Sequence, residues 1–138
     1  MAGINEELPF YPLNIAVLTI SDTRDETTDT SGGLLVERLT TAGHVLKGKA
    51  IVHDEVEAIR AQLKVWIADP DVDVVLTTAT LQSRALAGQA DDTFVFCVPG
   101  STGACRDAWD LVLAEELDSR FRPCSLVGQI PRYRGICP

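Results

Sequence analysis

Short apolar runs alternate with longer amphipathic stretches along most of this chain. Four of the runs are compact and rich in aliphatic residues, which is typical of buried strands. These predicted strands span residues 13–20, 44–52, 72–77 and 93–98. The stretches that follow them repeat apolar residues every three to four positions, the spacing of helices that pack on a core. The predicted helices span residues 31–42, 55–68, 80–90 and 103–119.

This alternation predicts a single α/β domain of three layers. Strands joined by helices form a mostly parallel, Rossmann-like sheet, and right-handed crossovers wrap it with helices. The second strand is less apolar than the first, so we expect it nearer an edge of the sheet. We assign residues 1–12 to an N-terminal arm, 13–122 to the α/β domain and 123–138 to an irregular C-terminal tail.

Polar residues mark the ends of the predicted helices. Thr30 or Ser31 can cap the first helix, and Gly43 can end it. Asp54 can cap the second helix, and Asp69-Pro70 can stop it.

Composition and charge exclude several classes of partner. A formal net charge of −8 over 138 residues, with no basic stripe, argues against nucleic acid and against anionic membranes. The chain does not open with a basic segment and an apolar run, and no apolar run approaches the length of a membrane span, so we expect a cytoplasmic protein. The four cysteines form no C-x-x-C pair, which favours reduced thiols over a zinc site, with Cys97 in the core.

Three polar segments follow predicted strands, where the ligands of open parallel sheets bind. They are Ser21-Asp22-Thr23, Thr77-Thr78 and Pro99-Gly100-Ser101-Thr102-Gly103. The last segment opens a helix, whose positive end stabilises an anion by about 0.3–1 kcal/mol. A turn followed by a helix cap is the simpler explanation of that segment taken alone. The chemistry by itself therefore predicts an α/β domain with an anion pocket and no more.

Other candidate sites are weaker. The sequence contains neither G-x-G-x-x-G nor G-x-x-x-x-G-K-[ST], which excludes dinucleotide-fingerprint and P-loop sites. His44 and His53 are isolated, and we expect both on the solvated surface. The acidic segment from Asp25 to Asp29 can hold a metal, but a solvated loop is the commoner meaning of such a run.

Four segments, taken in order, carry a resemblance to a known family. They are Ser21-Asp22, Asp29-Thr30-Ser31-Gly32, Gln82-Ser83-Arg84 and Pro99-Gly100-Ser101-Thr102. In these segments, and from Leu13 to about Cys124, the chain resembles the molybdenum cofactor biosynthesis protein B family, which is related to the molybdopterin adenylyltransferases. The resemblance implies a molybdopterin-binding-like α/β domain that assembles as a homo-trimer or hexamer.

The resemblance also implies a reaction and a set of site residues. Enzymatic members use Mg²⁺ and ATP, and the terminal phosphate of molybdopterin, the substrate, attacks the α-phosphorus to give adenylylated molybdopterin and pyrophosphate. Such a transfer depends on positioning and on neutralising charge. Matched position by position, Asp54 is the expected catalytic residue and Mg²⁺ ligand, in competition with its role as a helix cap. The expected substrate-binding residues are Ser21, Asp22, Thr77, Thr78, Ser83, Pro99, Gly100 and Ser101.

One departure from the family pattern lies after the third predicted strand. There the family continues with T-G-G-T-G, a loop with a further aspartate, a T-P-E helix start and a lid-like segment, whereas here Thr78-Ala79-Thr80-Leu81 leads directly into the Q-S-R-A block. The resemblance therefore implies that several tens of residues are missing, including phosphate-cradling glycines and a metal carboxylate. We expect weak or absent adenylylation. The alternatives are a non-enzymatic scaffold, a remnant ligand-binding subunit, and a degenerating or artefactual copy.

Overall fold

The computed structural model describes residues 2–79 and 84–135. Within these ranges the strands are β1 Gly3–Ile4, β2 Asn14–Ile20, β3 Val45–Val52, β4 Val74–Ala79, β5 Leu86–Ala90, β6 Thr93–Pro99 and β7 Phe121–Arg122. The helices are α1 Thr30–Thr41, α2 Val56–Ala68, α3 Thr102–Ala108 and α4 Ala114–Glu116. A π-helical turn, Trp109–Leu113, joins α3 to α4, and 3₁₀ turns follow at Leu126–Gln129 and Pro131–Tyr133. None of the described helices is long and apolar enough to cross a bilayer.

A five-stranded sheet forms the centre of the molecule, in the order β3-β2-β4-β6-β5. The first four strands in this order run parallel, and β5 runs antiparallel to β6. The predicted mostly parallel α/β domain is therefore confirmed, and β3 lies at an edge as expected. Because neighbouring strands are parallel, β2, β3, β4 and β6 all finish at one side of the sheet, which we call the carboxyl edge.

The predicted helix over residues 80–90 is wrong where the structure describes it. Leu86–Ala90 is a strand, and Asp91 has a left-handed φ of 51° in the two-residue turn that leads into β6. Hydrogen bonding to a neighbouring strand outweighs the weak helical pattern of this short, glycine-containing segment. Residues 80–83 lie outside the described residues.

Alternation of side chains along the central strands builds two separate cores. Ile15 and Val17 of β2 belong to a larger core, which α1, α3 and the following π-helical turn cover. Ala16 and Leu18 point to the opposite face and pack with Trp66 of α2. The sheet therefore has helices on both faces, as predicted.

Both ends of the described chain pack on the domain. β1 pairs antiparallel with β7. Val127 and Ile130, in the stretch expected to be an irregular tail, are fully buried in the larger core. The Arg132 guanidinium pairs with the buried carboxylate of Asp73.

Three local predictions need correction. His44 is buried, because its Nδ1 accepts a hydrogen bond of 3.0 Å from the Leu13 N–H. Asp29, rather than Thr30 or Ser31, caps α1 by accepting from the Gly32 N–H. Asp54 does not cap α2, which begins after Glu55 without a capping side chain. The partners of His44 and Asp54, Leu13 and Asp22, are distant in sequence, whereas the partner of Asp29 is local.

Candidate functional site

The carboxyl edge gathers the predicted site segments in the order of the strands. Ser21-Asp22 follows β2, and Gly100 follows β6. Thr77 and Thr78 are among the last three residues of β4. The Gly100 N–H donates to the Ala79 carbonyl at 2.9 Å, which carries the β4–β6 pairing past the end of the sheet. The expected convergence at one edge is therefore present.

Asp29 is a buried carboxylate that connects three elements at this edge. Its Oδ2 accepts from the Thr19 hydroxyl at 2.7 Å and lies 3.2 Å from the Lys49 ammonium, and its Oδ1 accepts from the Gly32 N–H at 2.9 Å. Only glycine fits at position 32, since a Cβ there would lie 2.2 Å from Asp29 Oδ2 and 2.5 Å from the Thr19 hydroxyl. Asp29 thus fastens the start of α1 to β2 and β3.

Lys49 brings positive charge to the same cluster. Burial opposes its charged form, but hydrogen bonds to Glu26 and Asp29 outweigh that effect and raise the pKa of Lys49. Its ammonium lies 3.0 Å from Glu26 and 3.2 Å from Asp29. The lysine is therefore already paired and does not offer a free cation to a ligand.

The N-termini of α1 and α3 meet beside this cluster. The hydroxyls of Thr30 and Thr102 lie 3.0 Å apart, and the Ser31 hydroxyl donates to the Gly100 carbonyl at 2.7 Å. Ser101 caps α3 by accepting from the Ala104 N–H. Since each helix carries a partial positive charge at its N-terminus, two helix starts side by side make a locus that favours an anion.

The loop after β2 holds itself in place with side-chain hydrogen bonds. The Ser21 hydroxyl accepts from the N–H groups of Thr23 and Arg24 at 3.2 and 3.1 Å. Asp25 accepts from the hydroxyl and N–H of Thr27, and these bonds lower the pKa of Asp25. Ser21 therefore acts first as a local turn residue, with its hydroxyl engaged by its own loop.

The structure separates the two threonines of β4. Thr78 lies on the sheet face that α1 and α3 cover, and its hydroxyl donates to the Pro99 carbonyl at 3.4 Å. The buried Cys105 thiol also contacts the Thr78 hydroxyl, at 3.5 Å, and burial raises the pKa of Cys105. Thr77 alternates to the face of α2. Only Thr78 borders the space between the two helix starts.

Asp22 and Asp54 lie together at the β3 end of the carboxyl edge. The Asp54 N–H donates to Asp22 Oδ1 at 3.0 Å, and His53 Nδ1 lies 3.4 Å from the same oxygen. Both aspartates are exposed. Neither borders the space between the helix starts, so the edge is divided into an aspartate pair and a hydroxyl-lined helix junction.

The junction itself is small. Its lining includes Ser21, Arg24, Thr78 and Gly100. The volume of the depression is only about 10 Å³, which is room for about one water molecule. A phosphate group can approach its mouth, but the depression does not enclose a nucleotide.

Sequence reasoning located most of the described site residues and missed the centre of the polar network. Pro99, Gly100 and Ser101 form the turn into α3 as expected, and Ser83 lies outside the described residues. Lys49 is absent from the sequence predictions, and Asp29 is named there only within the acidic loop and the Asp29–Gly32 family segment. The D-T-S-G order before a helical pattern could have identified Asp29, because a carboxylate three residues before a glycine is a typical helix cap. No local signal identifies Lys49, which belongs to another strand.

Comparison with known proteins gives three concordant results. A family model described as "Probable molybdopterin binding domain" matches residues 16–81. Molybdenum cofactor biosynthesis protein B of Escherichia coli strain K12 is 40% identical over 156 aligned positions, covering 84% of this chain and 92% of that protein. The protein of the same name from Staphylococcus epidermidis is 31% identical and covers 77% of this chain and 85% of its own.

A solved structure supports the same relationship. The crystal structure of a molybdenum cofactor biosynthesis protein B superimposes with a TM-score of 0.73 and 30% sequence identity. The superposition covers 78% of this chain and 92% of that one.

Proposed function

The chain belongs to the molybdenum cofactor biosynthesis protein B family, and on this premise we propose that its carboxyl edge binds a phosphate of molybdopterin or of adenine nucleotide. We propose further that it transfers AMP to molybdopterin weakly or not at all. It acts in the cytoplasm, and ATP and molybdopterin are its expected small-molecule ligands.

The observation that carries the proposal is the meeting of two helix N-termini at the hydroxyl contact between Thr30 and Thr102. Both hydroxyls belong to exposed or half-buried residues, so a ligand can reach them. A phosphate placed there would accept hydrogen bonds from hydroxyls and face two positive helix ends, each contributing about 0.3–1 kcal/mol. That is enough to orient a phosphate, while the rest of the affinity must come from the pterin or adenine.

The described residues hold no all-protein Mg²⁺ cage, so a Mg²⁺ ion here would depend on substrate phosphates for most of its ligands. In residues 2–79 and 84–135 no three His, Cys, Asp or Glu side chains are grouped to hold a metal. Asp29 is committed to Thr19, Gly32 and Lys49. Asp22 and Asp54 remain as exposed carboxylates, and the Asp54 backbone N–H, not its carboxylate, contacts Asp22.

The length of the alignment also supports the proposal. The alignment with the Escherichia coli relative spans 156 positions but includes only 84% of this chain's 138 residues, about 116, so about 40 positions have no counterpart here. The family model stops matching at residue 81, in the Thr78-Ala79-Thr80-Leu81 segment where the sequence departs from the family pattern. Loss of backbone donors that approach phosphate closely removes interactions that residues with a Cβ cannot replace.

Binding and turnover can be measured separately. Titration calorimetry with AMP, ATP and molybdopterin, each with and without Mg²⁺, tests binding, and transfer of labelled AMP to molybdopterin tests turnover. A molybdopterin adenylyltransferase, the related enzymatic branch, is the positive control. We expect measurable binding together with a transfer rate at least about 10²-fold below that of the control, the loss typical of one missing electrostatic donor. Transfer at the control's rate would contradict the proposal of weak turnover.

A matched pair of variants locates the binding site. Thr102→Val removes a hydroxyl from the helix junction and keeps the side-chain shape, while Thr41→Val makes the same change at the exposed far end of α1. We expect Thr102→Val alone to weaken binding, by about 3- to 10-fold, since one hydrogen bond contributes about 0.5–1.5 kcal/mol. Equal affinities for both variants would place the ligand elsewhere.

A chimera tests the reason for weak turnover. The segment of a molybdopterin adenylyltransferase that has no counterpart here would be inserted after Ala79. A gain of AMP transfer in the chimera, with no gain from a glycine–serine insert of the same length, is the expected result. A folded chimera that binds ATP without gaining activity would show that the defect lies outside this segment.

The second candidate function is a non-enzymatic subunit of a homo-oligomer. It is favoured by the hydrogen bonds of Asp29, all of which are made to groups of the same chain, so that Asp29 is not available to a ligand. A melting temperature unchanged by saturating ATP, AMP and molybdopterin, in a protein that assembles, would select this function over ligand binding.

A further inference from the structure

Two arginines flank the helix junction, and in the described part of the chain no carboxylate pairs with either of them. Arg24 borders the depression between the helix starts, and Arg106 lies in α3. Both residues are exposed. The chain has 20 acidic and 12 basic residues, so a shortage of carboxylates does not explain why these two guanidinium groups are unpaired.

The cations closest to this region along α1 and β3 are paired, in contrast to the two arginines. Arg38 Nε lies 3.1 Å from Asp110. Lys49 Nζ lies 3.0 Å from Glu26 and 3.2 Å from Asp29. Each of these cations is neutralised within the chain, whereas the two arginines remain available to an anion that comes from outside.

Arg24 is held in place without being neutralised. Its backbone N–H donates to the Ser21 hydroxyl at 3.1 Å, and its Nη1 donates to the Thr28 carbonyl at 2.8 Å. The Thr28 hydroxyl in turn accepts from the Asp25 N–H at 2.9 Å, which closes the loop on itself. A carbonyl carries no net charge, so the guanidinium keeps its charge while the loop fixes its position. A side chain that is already positioned loses less entropy when it binds a ligand.

Arg106 points back toward the start of α3. A Cβ placed on Gly103 would lie 3.6 Å from Arg106 Nη2, so the guanidinium lies over the first turn of the helix. This direction is the usual one for helical side chains, which tilt toward the N-terminus and meet the residue three positions earlier. Gly103 follows Thr102, whose hydroxyl contacts Thr30. The arginine therefore lies within one helical turn of the junction.

The size of the depression restricts which phosphate can enter it. The space holds about one water molecule, with a volume of about 10 Å³. A terminal phosphate can approach such a space with its free oxygens first. An internal phosphate carries a substituent on both sides, and the second substituent would meet the wall formed by the two helix starts.

We propose that Arg24 and Arg106 hold the phosphate at the helix junction from two sides and select a terminal phosphomonoester over a phosphodiester. This inference rests on the proposed function, and it names the class of phosphate that the same site takes. A phosphomonoester carries nearly two negative charges near neutral pH and offers three free oxygens. These oxygens suffice for the hydroxyls of Thr30 and Thr102 and for a guanidinium on each side, since arginine binds phosphate through paired N–H groups.

Three glutamine variants test the role of the arginines. Arg24→Gln and Arg106→Gln each remove one positive charge beside the junction. Arg134→Gln is the matched control, because Arg134 is also exposed but lies beside Arg132, which pairs with Asp73 at the other end of β4. In calorimetry without Mg²⁺, we expect each of the first two variants to weaken AMP binding by about 10-fold or more, since hydrogen bonds to charged groups are stronger than neutral ones. The control should bind AMP as the parent does.

Cyclic 3′,5′-AMP tests the selectivity, because it keeps the adenine and the ribose of AMP but carries a phosphodiester with a single charge. We expect the parent to bind AMP at least about 10-fold more tightly than cyclic AMP. This ratio should fall by about 3-fold or more in Arg24→Gln and in Arg106→Gln and should not change in Arg134→Gln. Equal affinities of the parent for the two nucleotides would overturn the selectivity.

The results separate this inference from the proposed function. If Thr102→Val weakens AMP binding while Arg24→Gln and Arg106→Gln bind AMP as the parent does, the helix junction binds phosphate and the arginines do not. A parent that binds no AMP overturns the inference, and one that binds neither AMP nor molybdopterin overturns the proposed function as well. Circular dichroism and melting curves check that every variant is folded, and an equal loss of affinity in Arg134→Gln would show a general charge effect and overturn the inference.

Discussion

A carboxylate is buried both at the carboxyl edge and at the opposite side of the sheet, where the parallel strands begin and which we call the amino edge. The two carboxylates have different surroundings. At the carboxyl edge Asp29 joins β2, β3 and the start of α1, and the space that remains holds about one water. At the amino edge Asp73 accepts from the Asn14 N–H and pairs with Arg132 of the C-terminal segment. A cavity of about 250 Å³ remains there, lined by Asp69, Asp73 and Arg132 among others.

This difference shows that neither burial nor cavity size identifies a functional site in this fold. The larger space lies at the amino edge, whereas ligands of open parallel sheets bind at the carboxyl edge. Both buried carboxylates have their hydrogen bonds satisfied within the chain, which marks them as structural. What distinguishes the carboxyl edge is the pair of helix N-termini beside the network, and the following substitutions separate these roles.

The largest effect is expected from Gly32→Ala. The added methyl would collide with Asp29 and Thr19 and break the network at the carboxyl edge. We expect the free energy of unfolding in urea to fall by about 3 kcal/mol. Gly33→Ala is the control, because nothing lies within 4 Å of its Cβ position, and alanine should raise stability there by about 0.5–1 kcal/mol. Similar stabilities for the two variants would contradict the proposed role of Gly32.

Acid should weaken the amino edge through His44, which lies just before β3. Burial lowers the pKa of His44 to about 4 from the ordinary 6.5, against the opposing charges of Asp118 and Asp73. The unfolded chain therefore binds a proton at higher pH than the folded one, so stability is lost as pH falls from about 6.5 to about 4. The loss reaches about 3 kcal/mol.

The control for this pH dependence is His44→Asn, whose side-chain oxygen can accept from the Leu13 N–H but does not titrate. Urea unfolding at pH 7, 6, 5 and 4.5 should show the loss in the parent and not in the variant. Hydrogen bonds and charge from Arg120 outweigh the burial of Asp118 and lower its pKa below 3.8. The stability that Asp118 contributes is therefore lost at lower pH than the stability linked to His44. Parallel curves for parent and variant would remove His44 as the cause.

Arg132→Ala should destabilise the amino edge by about 2 kcal/mol. The substitution leaves Asp73 buried with its charged partner gone, and the cost is below the 3–5 kcal/mol of a fully buried pair because 42% of the Arg132 side chain is exposed. Arg60→Ala removes an exposed pair with Glu57 on α2 and should change stability by less than about 0.5 kcal/mol. The comparison of unfolding free energies fails if Arg60→Ala costs as much as Arg132→Ala.

The smallest effect is expected from Thr19→Val, which removes one of the hydrogen bonds to Asp29 and keeps the shape of the side chain. We expect a loss of about 1 kcal/mol in the free energy of unfolding. Thr41→Val, at an exposed helix end, should be neutral. A neutral Thr19→Val would indicate that Lys49 and Gly32 suffice to hold Asp29.

Much of the fold and of the described site could be predicted from local patterns. The strands β2, β4 and β6 are apolar along their length because helices and neighbouring strands cover them, and that burial is visible in the sequence itself. The turn from Pro99 to Ser101 could be found in the same way, since glycine and a capping hydroxyl serve needs of the adjacent backbone. The family resemblance then supplied the residues of the site that local patterns could not rank.

The sequence by itself determined the order of elements through β4 and from β6 into α3, the mostly parallel sheet and the edge at which the site segments meet, because hydrophobic periodicity is a local property of the chain. Only the tertiary structure decided that Leu86–Ala90 is an antiparallel edge strand, that His44 is buried against Leu13, and that Asp29 and Lys49 share a network. These outcomes depend on partners that are distant in sequence. Their hydrogen bonds and charges form only when the sheet brings the strands together.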